Sequence, residues 1–501
     1  MTEEIEPHIY LKYEIKQRLG KGAYGVVWKA VEKKTRVTVA LKKVFDAFSN
    51  DTDAQRTFRE IMILQQLDHP HMVKLLNVIK AENNKDIYLI FEYMETDLHT
   101  AVRAQILEGI HKTYITYQLL KALLYLHTAE IVHRDLKPSN MLINGDCLIK
   151  LADFGLARST MPEDEENAPV MTDYVATRWY RAPEIVLGSR QYSKGVDMWS
   201  VGCILAEMLV GKALFQGRST VNQIELMIEL LGRPTKDELE NIGGASNWNL
   251  IESITTTQKL SLGTYLKPYG ATEHAVHFIK RCLEYNPRKR ITVEEALKHP
   301  YVLQFHNPAQ ETVAPRPIVM PISDQKKLSS KEYREALYAD IIRKKKEQRK
   351  KWHVAYLRQL GINVSEDDPN SVIIEKLNAV LKMQQQNGGS IGQSGLGQSV
   401  KPLSPNRETR VESRQITRSS KSPTKGRSEQ EKSTLAQQLK GPNGISYSAI
   451  SKHPTSMSKD SSKMPSVVQS QPKPPGQNSG PPQVLPNAGA TLTKSTKPSK
   501  K

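Results

Sequence analysis

One stretch of this 501-residue chain constrains it more than any other. Residues 131–140 read Ile-Val-His-Arg-Asp-Leu-Lys-Pro-Ser-Asn, and two short motifs follow, Asp153-Phe154-Gly155 and Ala182-Pro183-Glu184. Asp135 and Asn140 stand in the spacing D-x-x-x-x-N. That spacing lets a short loop offer a carboxylate to a hydroxyl and an amide to a metal ion. Asp153 then supplies a second hard-oxygen ligand of the kind Mg²⁺ prefers. Two acids and an amide around a metal neutralise charge and align reacting groups, which is most of what phosphoryl transfer demands. Any one triplet is a chance match. All three in this order form a specific signature.

Upstream, residues 13–45 alternate apolar and polar in short runs broken by glycines, the pattern of β-hairpins. Gly20, Gly22, Gly25 and Val27 fit G-x-G-x-x-G-x-V, a loop whose backbone N–H groups approach phosphates with no Cβ in the way. This motif is weak by itself. Lys42 ends Val39-Ala40-Leu41-Lys42, and strand alternation puts Lys43 on the opposite face. A helix is expected over 53–67, with Phe58, Ile61 and Leu64 near helical spacing and Glu60 upon it. A buried strand is expected over 87–94, and helical structure from 98 to 128. A further strand over 148–151 leads into Asp153.

Taken together these residues resemble the catalytic core of eukaryotic protein kinases. The resemblance implies an α+β, bilobal fold, with a β-rich small lobe over about 9–94 and a helical large lobe over about 95–305. It implies ATP and Mg²⁺ as cofactors. Asp135 would be the base for the substrate hydroxyl, Lys137 would reach the transferring phosphate, and Lys42 would pair with Glu60 while holding the other phosphates. Asn140 and Asp153 would hold the metal. Gly20, Gly22, Gly25, Val27, Ala40, Glu92 and Met94 would line the nucleotide site, with Phe91 closing its back. Leu136-Lys137-Pro138 marks serine/threonine rather than tyrosine kinases in that family. Glu184 and Arg290 would form an ion pair that holds the fold.

Between Asp153 and Glu184 lie Thr172-Asp173-Tyr174 and the phrase Val175 to Arg181, which resemble mitogen-activated protein kinases. Phosphates on Thr172 and Tyr174 would add roughly −3 to −4 charges. Arg56, Arg59, Arg134 and Arg158 would take one phosphate, and Arg178 with Arg181 the other. The run from Arg181 to Ser200 and the long basic tail resemble the atypical branch typified by mitogen-activated protein kinase 15, or extracellular signal-regulated kinase 7/8. Asp173 departs from the Glu usual there, and plant kinases with T-D-Y are the alternative. The branch implies proline-directed substrates, self-phosphorylation, and roles at cilia or centrioles and in autophagy, in the cytoplasm with the nucleus as a further site. Family members typically carry an acidic cluster after the last helix of the large lobe, where basic docking peptides bind. Here residues 301–311 hold one acid, Glu311.

Charge is uneven along the chain. Residues 1–305 hold 38 Lys+Arg against 38 Asp+Glu, and residues 306–501 hold 33 against 15. The whole excess of +18 therefore sits after the expected catalytic domain, 9–305, and points to acidic partners of the tail. Residues 306–386 read as a Pro-rich linker, a basic helix from 330 to about 359, and a short amphipathic helix over 372–381. Residues 387–501 are rich in Ser, Gln, Gly, Pro and Lys and are expected to be disordered. The basic helix has Trp352 but no recognisable nucleic-acid motif, so nucleic acid is not favoured. Tyr338-x-x-Ile341 fits a short form that autophagy adaptors bind as an added strand, set against a simple packing face of the helix. Cys147, Cys203 and Cys282 lie far apart, against a disulfide scaffold. The acidic start argues against a secretory leader, and no apolar run is long enough to span a bilayer.

Overall fold

The computed structural model describes residues 3–22, 25–161, 177–189, 193–243, 248–324 and 326–386. Thr172, Tyr174 and the tail from 387 onward lie outside the described residues. Five antiparallel strands form the small-lobe sheet: β1 (Tyr13–Gly22), β2 (Gly25–Glu32), β3 (Thr38–Val44), β4 (Leu75–Lys80) and β5 (Ile87–Glu92), in the order β1-β2-β3-β5-β4. Alternation sorts their side chains as the period of two requires. Val26, Val39, Leu41, Tyr88 and Ile90 bury on one face, with Ile5, Ile9 and Phe45 over them. Val27, Ala40 and Lys42 stay half-buried on the other, toward the large lobe.

Lys43 does face away from Lys42, but into the protein. It is 1% exposed, with Nζ 2.9 Å from the Glu4 carbonyl and 3.3 Å from Asp86. A lysine so placed needs both partners, because an unpaired buried charge is costly.

Helix α1 (Asp51–Leu64) begins at Asn50, whose side chain accepts from the Asp53 N–H. Its apolar face packs onto the sheet and its polar residues carry Glu60. The helical expectation for 98–128 resolves into two pieces, Leu98–Arg103 and α2 (Gly109–Thr128). Gln105 breaks the run at φ 55°, a left-handed backbone that ends a helix. In the large lobe α2 packs against α3 (Gly195–Val210), which with α4 (Thr220–Leu231), α5 (Glu273–Cys282) and shorter helices encloses a continuous apolar core around Trp199, Phe215 and Phe278.

After Phe305 the chain does not leave the protein. It runs back across the junction of the lobes, where the Ile318 N–H donates to the Ala129 carbonyl at 2.9 Å. Helix α6 (Ser330–Gln359) starts in a capping box of Ser329 and Glu332. Tyr333, Leu337 and Ile341 bury along α1, with the Tyr333 ring 5.6 Å from Phe58. The second half of α6 packs instead on α7 (Asn370–Gln386), through Val354, Leu357 and Ile373. Tyr338 and Ile341 are thus helical. Ile341 is buried and the Tyr338 ring lies 6.1 Å from Phe48. An added-strand motif must be extended and accessible, and this segment is neither. No helix among the described residues is long and apolar enough to cross a membrane.

Two histidines sit where the lobes meet. The His69 ring stacks 5.0 Å from Tyr125, and His71 Nδ1 lies 3.0 Å from the Ile149 carbonyl. Burial holds the His69 pKa down to about 3 and that of His71 to about 4. Between the unfolded value near 6.5 and the folded value near 4, the unfolded chain binds a proton that folded His71 refuses. Stability therefore falls as pH falls through that window, by about 1.4 kcal/mol per pH unit for this one group. Urea unfolding of His71→Gln should lose roughly 2 kcal/mol less than wild type between pH 7 and pH 5. Parallel curves for the two proteins would assign the acid sensitivity elsewhere.

Candidate active site

Strand β3 carries Lys42 toward the cleft, and α1 brings Glu60 to it: Nζ to Oε1 is 3.1 Å. Burial pulls the Lys42 pKa down, but the carboxylates of Glu60 and Asp153 outweigh it and hold the ammonium charged. In register, Val27 pairs with Lys42 across β2 and β3, and Ala40 pairs with Phe91 across β3 and β5. Val27, Ala40 and Phe91 are therefore neighbours at the roof and back of one cleft. The connector to the large lobe begins at Glu92, whose Oε1 accepts from the Lys74 N–H at 2.7 Å and lies 3.0 Å from Lys150 Nζ. Met94 is buried beside it.

The glycines divide by role. A Cβ on Gly20 or Gly22 would meet nothing within 4 Å, so these positions leave the strand face open to a ligand. A Cβ on Gly25 would lie 2.2 Å from the Lys43 carbonyl oxygen. Close approach of β2 to β3 demands glycine there, whatever the phosphates require.

The catalytic loop hangs on Asp197, at the start of α3. Its Oδ2 accepts from the His133 N–H at 2.9 Å and its Oδ1 from the Arg134 N–H at 2.9 Å, while His127 Nε2 lies 3.0 Å from Oδ2. Burial raises the Asp197 pKa, and the His127 bond and these donors more than reverse it. The anchoring matters because Arg134 has φ 68°, a left-handed conformation that costs about 1–3 kcal/mol and needs the surroundings to impose it. Asp135, 6% exposed, then faces the cleft. Lys137 Nζ reaches its Oδ2 at 2.6 Å, and Asn140 Nδ2 donates to its carbonyl at 2.9 Å and to Oδ2 at 3.2 Å.

Asn140 is tied to the next motif as well, since its carbonyl accepts from the Ala152 N–H at 2.9 Å. Asp153 follows, at φ 64°. Burial raises its pKa, yet Lys42, Arg56, Lys137 and His133 together keep it below the usual carboxylate range. It is the charged form that a metal needs. Phe154 is fully buried against the His133 ring at 5.0 Å. Above Gly155 lies Arg56, so near that a Cβ would sit 2.6 Å from its Nε. Glycine lets the arginine come that close; a side chain there would push Arg56 aside.

The arrangement fits a nucleotide with a divalent metal. The Asn140 N–H₂ is occupied by Asp135, Asp153 is held in its charged form, Lys42 pairs with Glu60, and the glycines of β1 leave open space where a Cβ would stand. Residues 13–302 match the protein kinase domain family. The chain is 58% identical over 353 residues to extracellular signal-regulated kinase 2 of Dictyostelium discoideum, covering 70% of this chain and 95% of that one. The chain belongs to the mitogen-activated protein kinase family. The kinase is also 53% identical over 346 residues to mitogen-activated protein kinase 15 of Xenopus laevis, covering 68% of this chain and 59% of the frog protein. It is 48% identical over 351 residues to mitogen-activated protein kinase 15 of Caenorhabditis elegans, covering 69% and 74%. The branch named from the sequence is thus among its relatives, and the family uses ATP with a divalent metal.

The structure brings Lys42, Glu60, Asp135, Lys137, Asn140 and Asp153 together. Asp197, which anchors the catalytic loop, lay within the run 181–200 and was given no role of its own from the sequence. The Arg178 guanidinium donates to the Arg218 carbonyl at 3.0 Å. Glu311, the one acid of residues 301–311, is turned inward: it accepts from Tyr117 Oη at 3.1 Å and from the Asn307 N–H at 3.0 Å, with His306 Nδ1 at 2.8 Å. A basic docking peptide therefore meets no acidic cluster there. Exposed charge pairs contribute about 0.2–1 kcal/mol each, so losing several weakens binding roughly ten- to a hundredfold. Titration of a basic docking peptide into the full chain should give that weak affinity. Low-micromolar binding that falls steeply with salt would mean another acidic surface serves instead.

Proposed function

We propose that this kinase is a Mg²⁺- and ATP-dependent, proline-directed serine/threonine kinase of the mitogen-activated class that phosphorylates its own loop at Thr172 and Tyr174. The observation that carries the reading is the Lys42–Glu60 pair at 3.1 Å beside an Asp153 held in its charged form. ATP, when bound, supplies the phosphoryl group, and its metal neutralises charge on the phosphates. Lys42 orients the phosphate chain, Asn140 and Asp153 hold the metal, and Asp135 accepts the proton of the attacking hydroxyl. Lys137, 2.6 Å from Asp135, would neutralise charge on the transferring phosphate.

Mass spectrometry of the protein made alone in bacteria tests self-activation. Phosphate on Thr172 and Tyr174 in wild type, absent in Asp135→Ala, is the expected result. An unmodified loop in wild type, or equal modification in both, sinks it. The resemblance of residues 181–200 and the basic tail to the mitogen-activated protein kinase 15 branch carries the further proposal of a role at cilia or centrioles and in autophagy, in the cytoplasm with the nucleus as a further site. Partners of the basic tail would be acidic. Binding of an autophagy adaptor at Tyr338 to Ile341 would require α6 to unwind. A scaffold acting mainly through its tail is the second reading, and the fully assembled catalytic set speaks against it.

A further inference from the structure

Three arginines grip three successive carbonyls just after the metal-binding aspartate. Arg59 Nη1 donates to Gly155 O at 3.2 Å, Arg134 Nη1 to Leu156 O at 3.1 Å, and Arg158 Nη1 to Ala157 O at 2.9 Å. They come from α1, the catalytic loop and the short strand Arg158–Ser159, so the cluster is where small lobe, catalytic loop and activation segment meet. Arg59 is 3% exposed. A guanidinium so buried requires an anion close by. Its anion here is Asp324, from the segment that returns after the large lobe: Oδ1 lies 2.8 Å from Arg59 Nε and 2.7 Å from Arg59 Nη2. The other oxygen, Oδ2, lies 3.6 Å from Arg158 Nε.

The segment that carries Asp324 is fastened to α1 at Asp324 itself and again after it. Gln55 Nε2 donates to the Asp324 carbonyl at 2.9 Å, and the Ser330 N–H donates to Asp51 Oδ1 at 2.7 Å. The carboxylate is thus fixed in place by the chain around it.

We propose that Asp324 is a resident anion of this arginine cluster, bridging α1 to the activation segment and so holding Lys42 and Glu60 together before the loop carries phosphate. The inference rests on the proposed self-activation and supplies what that reading needs. A kinase that phosphorylates its own loop must already be competent while the loop is bare. One carboxylate shared by arginines on two elements does the bridging that a phosphate does, with less charge. A phosphate on the loop brings about twice the charge and makes Asp324 dispensable. Asp324 is a positioning residue; it acts through Arg59 and Arg158 and touches no substrate.

The test uses the full chain with Thr172→Ala and Tyr174→Phe, so that the loop stays bare, and reads phosphate transfer to a Ser-Pro peptide. In that background Asp324→Ala should lower turnover about tenfold and raise the KM for ATP, as loss of a charge-assisted bridge that positions Lys42 implies. Asp324→Asn, closer in shape, guards against misfolding and should lose nearly as much, while Asp324→Glu should recover most of the rate. With the native loop fully phosphorylated, Asp324→Ala should act within about twofold of wild type. Unchanged or increased activity on the bare loop overturns the proposal, and so does an equal loss in both loop states, which marks a structural role only. A bare-loop parent with no activity also overturns it, whereas the mass spectrometry of the wild-type loop decides self-phosphorylation separately.

Discussion

Asp135→Ala should lower turnover at least a hundredfold while leaving the protein folded. The carboxylate is held by Asn140 and Lys137 at hydrogen-bond distance, so its place is set before a substrate arrives. Preorganised groups of this kind contribute about 2.7–4 kcal/mol to transition-state stabilisation, which is roughly a hundred- to a thousandfold in rate. Asp153→Asn should match it in size but differ in kind. The amide keeps the shape and loses the charge, so Lys42 keeps Glu60 alone of its two carboxylates and Arg56, whose guanidinium lies 3.8 Å from Oδ1, loses this one. The KM for ATP should rise for Asp153→Asn, and excess Mg²⁺ should recover part of it. For Asp135→Ala the loss should lie in kcat, with ATP binding little changed. Steady-state kinetics at several Mg²⁺ concentrations separates the two, and near-wild-type turnover in either purified variant would contradict the roles assigned here.

What the sequence made legible follows from what kind of constraint each residue obeys. Asp135, Asn140 and Asp153 are bound by chemistry at short range, and their spacing survives in the chain as a pattern. The strands over 13–45 are bound by burial of one face, and alternation with a period of two records that. Asp324 obeys neither. Its partner Arg59 is 265 residues away, and a lone aspartate after Ile322 and Ser323 has no local signature. Gly25 was readable as glycine but not as the glycine demanded by the Lys43 carbonyl, because that contact depends on how close β2 and β3 approach. Lys43 shows the same limit. Alternation put it opposite Lys42, yet that a lysine would be 1% exposed depends on Glu4 and Asp86 arriving from elsewhere. The break between Arg103 and Gly109 was hidden because Gln105 has no side-chain reason to take a positive φ.

The pair Glu184–Arg290 should show the largest stability effect of any single site away from the chemistry. Arg290 and Glu184 have side chains 0% and 3% exposed, and the fork is bidentate: Nη1 to Oε1 at 2.8 Å and Nη2 to Oε2 at 3.1 Å. The remaining donors are also met. Nη1 donates to Gly195 O at 2.8 Å and Nε to Glu284 O at 3.0 Å, while the guanidinium lies 5.2 Å from the Trp199 ring. Arg290 thereby joins three places: the end of the activation segment, the start of α3 and the turn after α5. Arg290→Met removes the partner and leaves Glu184 charged and enclosed, which costs about 3–5 kcal/mol. The greater part of that loss is the stranded carboxylate rather than the missing attraction. Adding Glu184→Gln should therefore restore a good part of the stability lost in Arg290→Met, by roughly 1–3 kcal/mol. Urea unfolding of the two single variants and the double gives the coupling directly. A loss under about 1 kcal/mol in Arg290→Met would show that water reaches Glu184 once the arginine is gone, and a double variant no better than Arg290→Met would place the cost in the bonds to Gly195 and Glu284.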